Sequence, residues 1–326
     1  VTPRFTLPLA AFITGIRMNT IYHIGTVGQP WGEAEKAQWL SEQQIKRSFF
    51  DDVLPAITAL QNEFDVEQYG ELNYQHVCGK TYPLYAVKSR NWQSNKPTIL
   101  VTGGVHGYET SGVHGALRFL QTQAKAYSNK VNVLVLPCIS PWGYETINRW
   151  NPEAIDPNRS FSADGKATEA QQVRQYLASL NTHFALHIDL HETTDSDNSE
   201  FRPAKAARDG TVNNNWNIPD GYYTVDDAEH PCPALQKAII DSVARVTHIA
   251  EADENGELIG EEIAQFGVIN YAKASLGLCG SVTDAPLVST TEVYPDSPSA
   301  TPEQCIQAQV AAVVGALEYL LQSSQA

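Results

Sequence analysis

Cysteine is scarce in this chain. Five occur in 326 residues, at Cys78, Cys138, Cys232, Cys279 and Cys305, scattered and never spaced as Cys-x-x-Cys. That pattern argues against a disulfide framework and against a cysteine-built zinc site, and it favours a reducing compartment. Cations are scarce too: 22 Lys and Arg against 37 Asp and Glu leave a formal net charge of -15. Such a field repels nucleic acid and anionic membrane surfaces, so neither is expected as a partner. An anionic substrate must then be drawn in by local positive charge. No apolar run is read as reaching the ~20 residues of a membrane span. The apolar patch 7–13 is interrupted at Pro8, with Pro3 before it, and no clear cleavage site follows. A cytoplasmic location is therefore expected, with a removed signal peptide left open. The His-Glu-x-x-His zinc signature is absent, as are internal repeats and low-complexity linkers.

What is present reads as a folded globular protein, with 42% apolar and 18% charged residues. Helix formers in amphipathic spacing run over 33–64, with Pro55 as a break. Short strand-like pieces follow at 75–78 and 83–88. Strands are then predicted at 98–102, 131–136 and 184–190, and helices at 109–125, 167–180, 233–250 and 303–321. The strands are nearly all apolar and alternate with helices. This predicts an α/β fold with a mixed, largely parallel β-sheet flanked by helices on both faces. Residues 1–75 are read as an N-terminal helical extension packed on a catalytic domain of residues 76–326. Segments 140–164 and 196–223 read as loops. The oligomeric state is left open.

Three polar clusters fall where open α/β sheets place their sites, beyond the carboxyl ends of strands. The first, Gly103-Gly104-Val105-His106-Gly107-Tyr108-Glu109, puts His106 and Glu109 three apart across a strand-to-helix turn. The glycines let the backbone turn tightly there. The second, His187-Ile188-Asp189-Leu190-His191-Glu192, ends a strand, and alternation sets His187, Asp189 and His191 on one face. Two imidazoles and a carboxylate, His106, Glu109 and His191, make a three-ligand catalytic zinc set with a fourth position for water. Taken alone, each of these residues equally fits a helix cap or a satisfied backbone group. The third cluster is Asp156-Pro157-Asn158-Arg159, preceded by Asn148-Arg149-Trp150. Arg159 offers a planar fork suited to a carboxylate, with Asn158 as a donor beside it. Asp156 is suited to accept the second ring proton of a ligating histidine. Arg149 is a cation suited to stabilise an oxyanion.

Together, in this order, the clusters resemble the M14 zinc metallocarboxypeptidase clan, including its succinylglutamate desuccinylase and aspartoacylase branch. The resemblance covers 98–292 through Gly-x-His-Gly-x-Glu, Asp-x-Asn-Arg and a strand-end histidine. It implies a carboxypeptidase-like fold and a zinc ion held by His106, Glu109 and His191. It also implies Asn158 and Arg159 as the clamp on a substrate carboxylate, Arg149 as the oxyanion partner and Asp156 as support for a ligand. The clan needs a catalytic glutamate on a late strand, and Glu292 in the β-prone stretch 288–294 is the candidate. Glu192 is the rival, turned away by strand alternation. Tyr271 stands at roughly the interval before Glu292 where carboxypeptidases carry a substrate-capping tyrosine. The interval from Glu109 to His191 is nearer to the acylase branch than to digestive carboxypeptidases. Three functions follow as expectations: a zinc metallocarboxypeptidase acting on a peptide with a free carboxylate, an amidohydrolase of N-acyl amino acids, and an inactive carboxylate- or peptide-binding protein.

Overall fold

A computed structural model describes residues 21–323. Ten strands form among the described residues: β1 (Phe64–Tyr74), β2 (Lys80–Ser89), β3 (Thr98–Gly103), β4 (Asn132–Leu136), β5 (Leu186–Glu192), β6 (Tyr223–Asp227), β7 (Glu257–Leu258), β8 (Glu261–Glu262), β9 (Val268–Tyr271) and β10 (Leu287–Val293). Eight of them make one sheet in the order β1-β2-β4-β3-β5-β10-β6-β9, while β7 and β8 form a separate ribbon. The centre, β4-β3-β5-β10, is parallel throughout. β1, β2 and β6 join antiparallel, and β9 lies parallel to β6. The sheet is therefore mixed and largely parallel in its core, as the alternation of strands and helices predicts.

Every residue of β3, β4 and β5 is buried, which is why β3 and β4 read as largely apolar runs, while β5 alternates apolar and polar residues between its two buried faces. Their side chains divide between two cores. Ile99, Val101, Val133, Val135, Ile188 and Leu190 enter the larger one, while Leu100, Leu134 and Leu136 enter the smaller one on the opposite face. The helices are α1 (Glu33–Ser41), α2 (Phe49–Asp52), α3 (Leu54–Ala59), α4 (Gln75–Cys78), α5 (Thr110–Thr122), α6 (Ala124–Tyr127), α7 (Pro141–Thr146), α8 (Thr168–Ser179), α9 (Arg202–Asp209), α10 (Pro233–Val243) and α11 (Pro302–Ser323). Helices α5, α10 and α11 cover the larger core and α8 the smaller. The 22 residues of α11 are long and apolar enough to cross a membrane by length and composition, contrary to the reading of the bare sequence. Its buried face, including Ala308, Ala312, Val313 and Leu317, packs in the core instead.

Two local expectations change. Residues 75–78 form a helical turn closed by Gly79 at φ 70, not a strand. β1 pairs with β2 from Phe64↔Ser89 to Tyr74↔Lys80, so a boundary at 75 falls inside a hairpin of the main sheet. Its run FDVEQYGELNY is polar because most of this edge strand is at least partly open to water, so the apolar signal is missing. Residues 21–62 are what remains of the expected extension, and its apolar patch 7–13 lies outside the described residues. Trp39 of this segment packs 6.2 Å from Trp142 and 5.5 Å from Trp150, ring centre to ring centre. The N-terminal segment is thereby joined to the loop after β4.

The turn after β3 is built by backbone packing. Gly104 takes a left-handed φ of 62, and a Cβ on Gly107 would lie 2.1 Å from the backbone nitrogen of Tyr144. No flexible side chain can give way at that contact. Gly107→Ala is expected to cost about 3 kcal/mol, at the upper end of overpacking penalties, read from the urea unfolding midpoint. An unchanged midpoint would show that the close approach is not needed.

Candidate metal centre

Strand alternation sets a polar row on one face of the central strands. The partners of the larger core take Ile188 and Leu190, so His187, Asp189 and His191 face the other way, alongside Thr102. The parallel register places Thr290 opposite Asp189 and Glu292 opposite His191. The chain leaves β3 toward β4 on one side and returns to β5 on the other, which makes the β3/β5 boundary the switch point of the sheet. His106 and Glu109 follow β3 there, and His191 and Glu292 sit near the ends of β5 and β10.

The structure brings His106, Glu109 and His191 together. Their ligand atoms all lie within 4.8 Å of one another, and all three residues are buried. His106 Nδ1 is 2.7 Å from Glu109 Oε1. His191 Nδ1 is 2.8 Å from Glu109 Oε2, outside hydrogen-bonding geometry, so that oxygen is a buried acceptor without a donor. On the far side of each ring, Nε2 meets a carboxylate: Asp156 Oδ1 at 2.9 Å from His106 and Asp189 Oδ2 at 2.8 Å from His191. Carboxylates there favour the Nε2–H tautomer and leave both Nδ1 lone pairs aimed inward. Two inward lone pairs and an orphaned carboxylate oxygen fit a divalent cation with nitrogen and oxygen ligands.

The electrostatics agree. Burial pushes the Glu109 carboxyl up, but the two imidazoles outweigh it and hold it at about 2. Burial opposes charge on His191, yet Asp189 and Glu109 raise its pKa well above the usual imidazole range. A metal-free centre thus holds a proton where a cation fits. Asp156 is kept well below the carboxylate range despite burial, by Arg149 and His106. Arg149 Nε bonds Asp156 Oδ2 at 3.0 Å, and its Nη1 lies 3.7 Å from Asp197 Oδ1. Burial lifts the Glu292 carboxyl to about 8, and one of its oxygens accepts from Thr193 Oγ1 at 2.9 Å.

Arg159 differs from its neighbours. It is exposed to solvent and has no ion pair among the described residues; its Nη1 donates only to the Asn158 carbonyl, at 2.7 Å. Asn158 accepts the Cys279 N–H at 2.7 Å through Oδ1, which leaves its amide nitrogen as a donor. Tyr271, at the end of β9, lies in the fields of Glu292, Arg159 and Arg202. Glu192, the rival to Glu292, points to the opposite face and accepts the Thr110 and Ser111 N–H groups at 3.1 and 2.6 Å, capping α5. His114 bonds the Tyr144 hydroxyl at 3.0 Å, away from the centre.

Several residues around the centre carried no clear signal in the sequence. Asp197 sits at the start of a helical stretch where the sequence reads as loop, and it accepts from Tyr108 OH at 3.2 Å and Thr194 N at 2.8 Å. Arg202 braces the same stretch through Asn198 Oδ1 and the carbonyls of Asn215 and Asn217, at 2.7, 3.1 and 3.0 Å. The last helix also reaches the site: Gln309 Nε2 donates to the His191 carbonyl at 2.8 Å, and Thr291 Oγ1 donates to Gln309 Oε1 at 2.5 Å. A second group with metal-ligand chemistry, His187, Asp189 and Cys279, lies beneath the first. It already has a cation beside it. Lys273 is fully buried, bonds Thr290 Oγ1 at 3.2 Å and feels the charge of Asp189 and Cys279.

The chain with this geometry is similar to known proteins in three respects. The succinylglutamate desuccinylase/aspartoacylase catalytic domain model matches residues 95–211. The probable carboxypeptidase 2 of Arthroderma benhamiae is 30% identical over 139 residues, covering 39% of this chain and 26% of that protein. A Shewanella denitrificans structure with a metallopeptidase designation superposes with a TM-score of 0.60 at 17% identity, covering 83% of this chain and 90% of that one. These similarities support an M14-like relationship, with the matched sequence covering less than half of the chain. The chain also shares its fold with a Pseudomonas aeruginosa metallo-carboxypeptidase solved in complex with (2-guanidinoethylmercapto)succinic acid. There the TM-score is 0.53 at 15% identity, over 90% of this chain and 70% of that one. The chain spans about a quarter of the length of the curated relative it matches, 26%.

One consequence concerns stability. Glu292 has a pKa of about 8 in the folded, metal-free chain against 4.5 as its ordinary value. Between those limits it is neutral when folded and ionised when unfolded. Its stabilising contribution is full below pH 4.5 and is lost as the pH rises toward about 8. Urea midpoints of the metal-free protein across this window should fall more steeply for the wild type than for Glu292→Gln. Parallel slopes would contradict the burial of an uncharged carboxyl.

Proposed function

We propose that the chain is a zinc-dependent metallocarboxypeptidase that hydrolyses the amide bond next to a free carboxylate. The observation that carries this reading is the convergence of His106 Nδ1, Glu109 and His191 Nδ1 within 4.8 Å, beside a carboxyl raised to about 8 and an unpaired arginine. His106, Glu109 and His191 would hold the zinc. When bound, the ion polarises the scissile carbonyl and makes water a nucleophile near neutral pH.

The remaining chemistry falls to the chain's own side chains. Arg159 and the Asn158 amide nitrogen grip the substrate carboxylate, which fixes the preceding carbonyl in one orientation. Arg149, charged and backed by Asp156, offers donors toward oxygen charge that develops on that carbonyl. With a cation's charge offsetting its burial, Glu292 ionises, takes the proton from the attacking water and delivers it to the departing amine. Thr193, itself bonded to Tyr223 OH at 2.7 Å, keeps one Glu292 oxygen occupied and so orients the other. Tyr271 closes over the bound carboxylate from the end of β9.

A second reading is favoured by one specific finding. The family model matched over residues 95–211 is that of the desuccinylase and aspartoacylase branch, whose description names acylated amino acids as substrates. The same residues would then hold the carboxylate of an N-acyl amino acid. Blocked dipeptides assayed against N-acetyl and N-succinyl amino acids separate the two. Turnover confined to the acyl amino acids would replace the carboxypeptidase reading with an amidohydrolase.

Elemental analysis should find one zinc per chain, lost in His106→Ala and His191→Ala. Glu292→Gln should retain the metal and lose turnover by about 100- to 10,000-fold, the range of general acid–base catalysis. An unaffected rate would remove Glu292 from the reaction, and no turnover in the wild type would favour a carboxylate-binding protein.

A further inference from the structure

Arg47 lies in the N-terminal segment, between α1 and α2, far in sequence from every residue of the metal centre. Its side chain does not pair with a carboxylate among the described residues. It enters instead between two backbone turns. Nε donates to the Tyr144 carbonyl at 2.6 Å, Nη1 to Thr110 Oγ1 at 2.7 Å, and Nη2 to the Gly107 carbonyl at 2.9 Å, with the Tyr108 carbonyl at 3.5 Å. The guanidinium carbon also sits 3.6 Å over the centre of the Tyr144 ring. Every face of the fork is thus in use.

The acceptors matter more than their number. Gly107 and Tyr108 are the two residues between His106 and Glu109, and Thr110 is the next after Glu109. Tyr144 belongs to α7, and the chain leaving α7 leads to Arg149 and Asp156, the carboxylate that backs His106. Two peptide carbonyls between the paired groups therefore point at one rigid cation, which also holds α7. The main chain of Arg47 is fixed as well: its N–H and that of Lys46 donate to the Glu145 carbonyl at 3.3 and 2.8 Å. Glu145 in turn ties down the Phe49 N–H at 3.0 Å and Lys80 Nζ at 2.6 Å.

We propose that Arg47 is a positioning residue for the metal centre. It sets the peptide planes between His106 and Glu109, and it sets that loop against α7, from which the chain runs on to Asp156. The N-terminal segment thereby completes the ligand geometry without contributing a ligand. Lysine cannot replace it, since one ammonium has no planar fork to reach carbonyls on two turns at once. This inference rests on the zinc reading above.

The test is zinc affinity of the full chain, measured by competition with a chromophoric chelator, beside thermal unfolding of the metal-free protein. Arg47→Lys should weaken zinc binding about 10-fold or more, as loss of a group supporting a ligand does. Lys80→Gln is the control: it loosens the same segment on α7 without touching the metal loop, and should lower the melting temperature with zinc affinity unchanged. In Arg47→Ala, millimolar methylguanidinium should restore part of the affinity, whereas methylammonium should not. Equal zinc affinity in Arg47→Lys and wild type would overturn the inference, as would an equal loss in Lys80→Gln. A wild type that takes up no zinc would overturn the metal reading itself, a distinct result.

Discussion

The structure turns on keeping two buried imidazoles aimed at one point by their Nδ1 atoms. Nothing intrinsic to histidine favours that, because each ring has two nitrogens and the buried proton can sit on either. Asp156 and Asp189 settle the matter from behind, at 2.9 and 2.8 Å. These carboxylates need partners of their own, since a buried anion is costly unless paired and bonded. Arg149 serves Asp156. Thr102 donates to Asp189 at 2.6 Å, with the charge of Lys273 close by. Charge alternates outward from the centre, and each layer explains the burial of the next.

That alternation accounts for features that look unrelated. Lys273 is fully buried, an unusual state for lysine, and burial pulls its pKa down to about 8. Its place under the β5 carboxylate makes it the counter-charge of the lower layer. Arg159 stands outside the scheme, exposed and unpaired. In a chain with a net charge of -15, an exposed arginine with no ion pair among the described residues, next to the buried centre, is a local exception. It is the kind of exception a carboxylate ligand requires.

Much of this was legible in the sequence, and the reasons are local. The strands flanking the site are buried on both faces, so 98–102 and 131–136 read as apolar runs. The period of two along β5 orders His187, Asp189 and His191 and turns Glu192 away. Short-range signals failed where tertiary packing decides. β1 is a polar edge strand and gave no apolar pattern. The polar run beginning at 196 reads as loop, yet it is helical from Asp197 to Asp209 because Tyr108, Arg202 and neighbouring backbone groups satisfy it. Arg47 was invisible, since its meaning lies in carbonyls 60 to 97 residues away. The acceptors of an arginine fork leave no trace in spacing.

Gln309 ties the two ends of this design together in time as well as in space. One amide side chain on the final helix spans the His191 carbonyl and the Thr291 hydroxyl, and so fastens β5 to β10 at the level of the site. A nascent chain that has emerged only through β10 already has every ligand and the candidate base, yet lacks that brace. Docking of the C-terminal helix thus adds a side-chain bond between the two paired strands that carry His191 and Glu292, so the chain's final segment reinforces a site it contributes no ligand to.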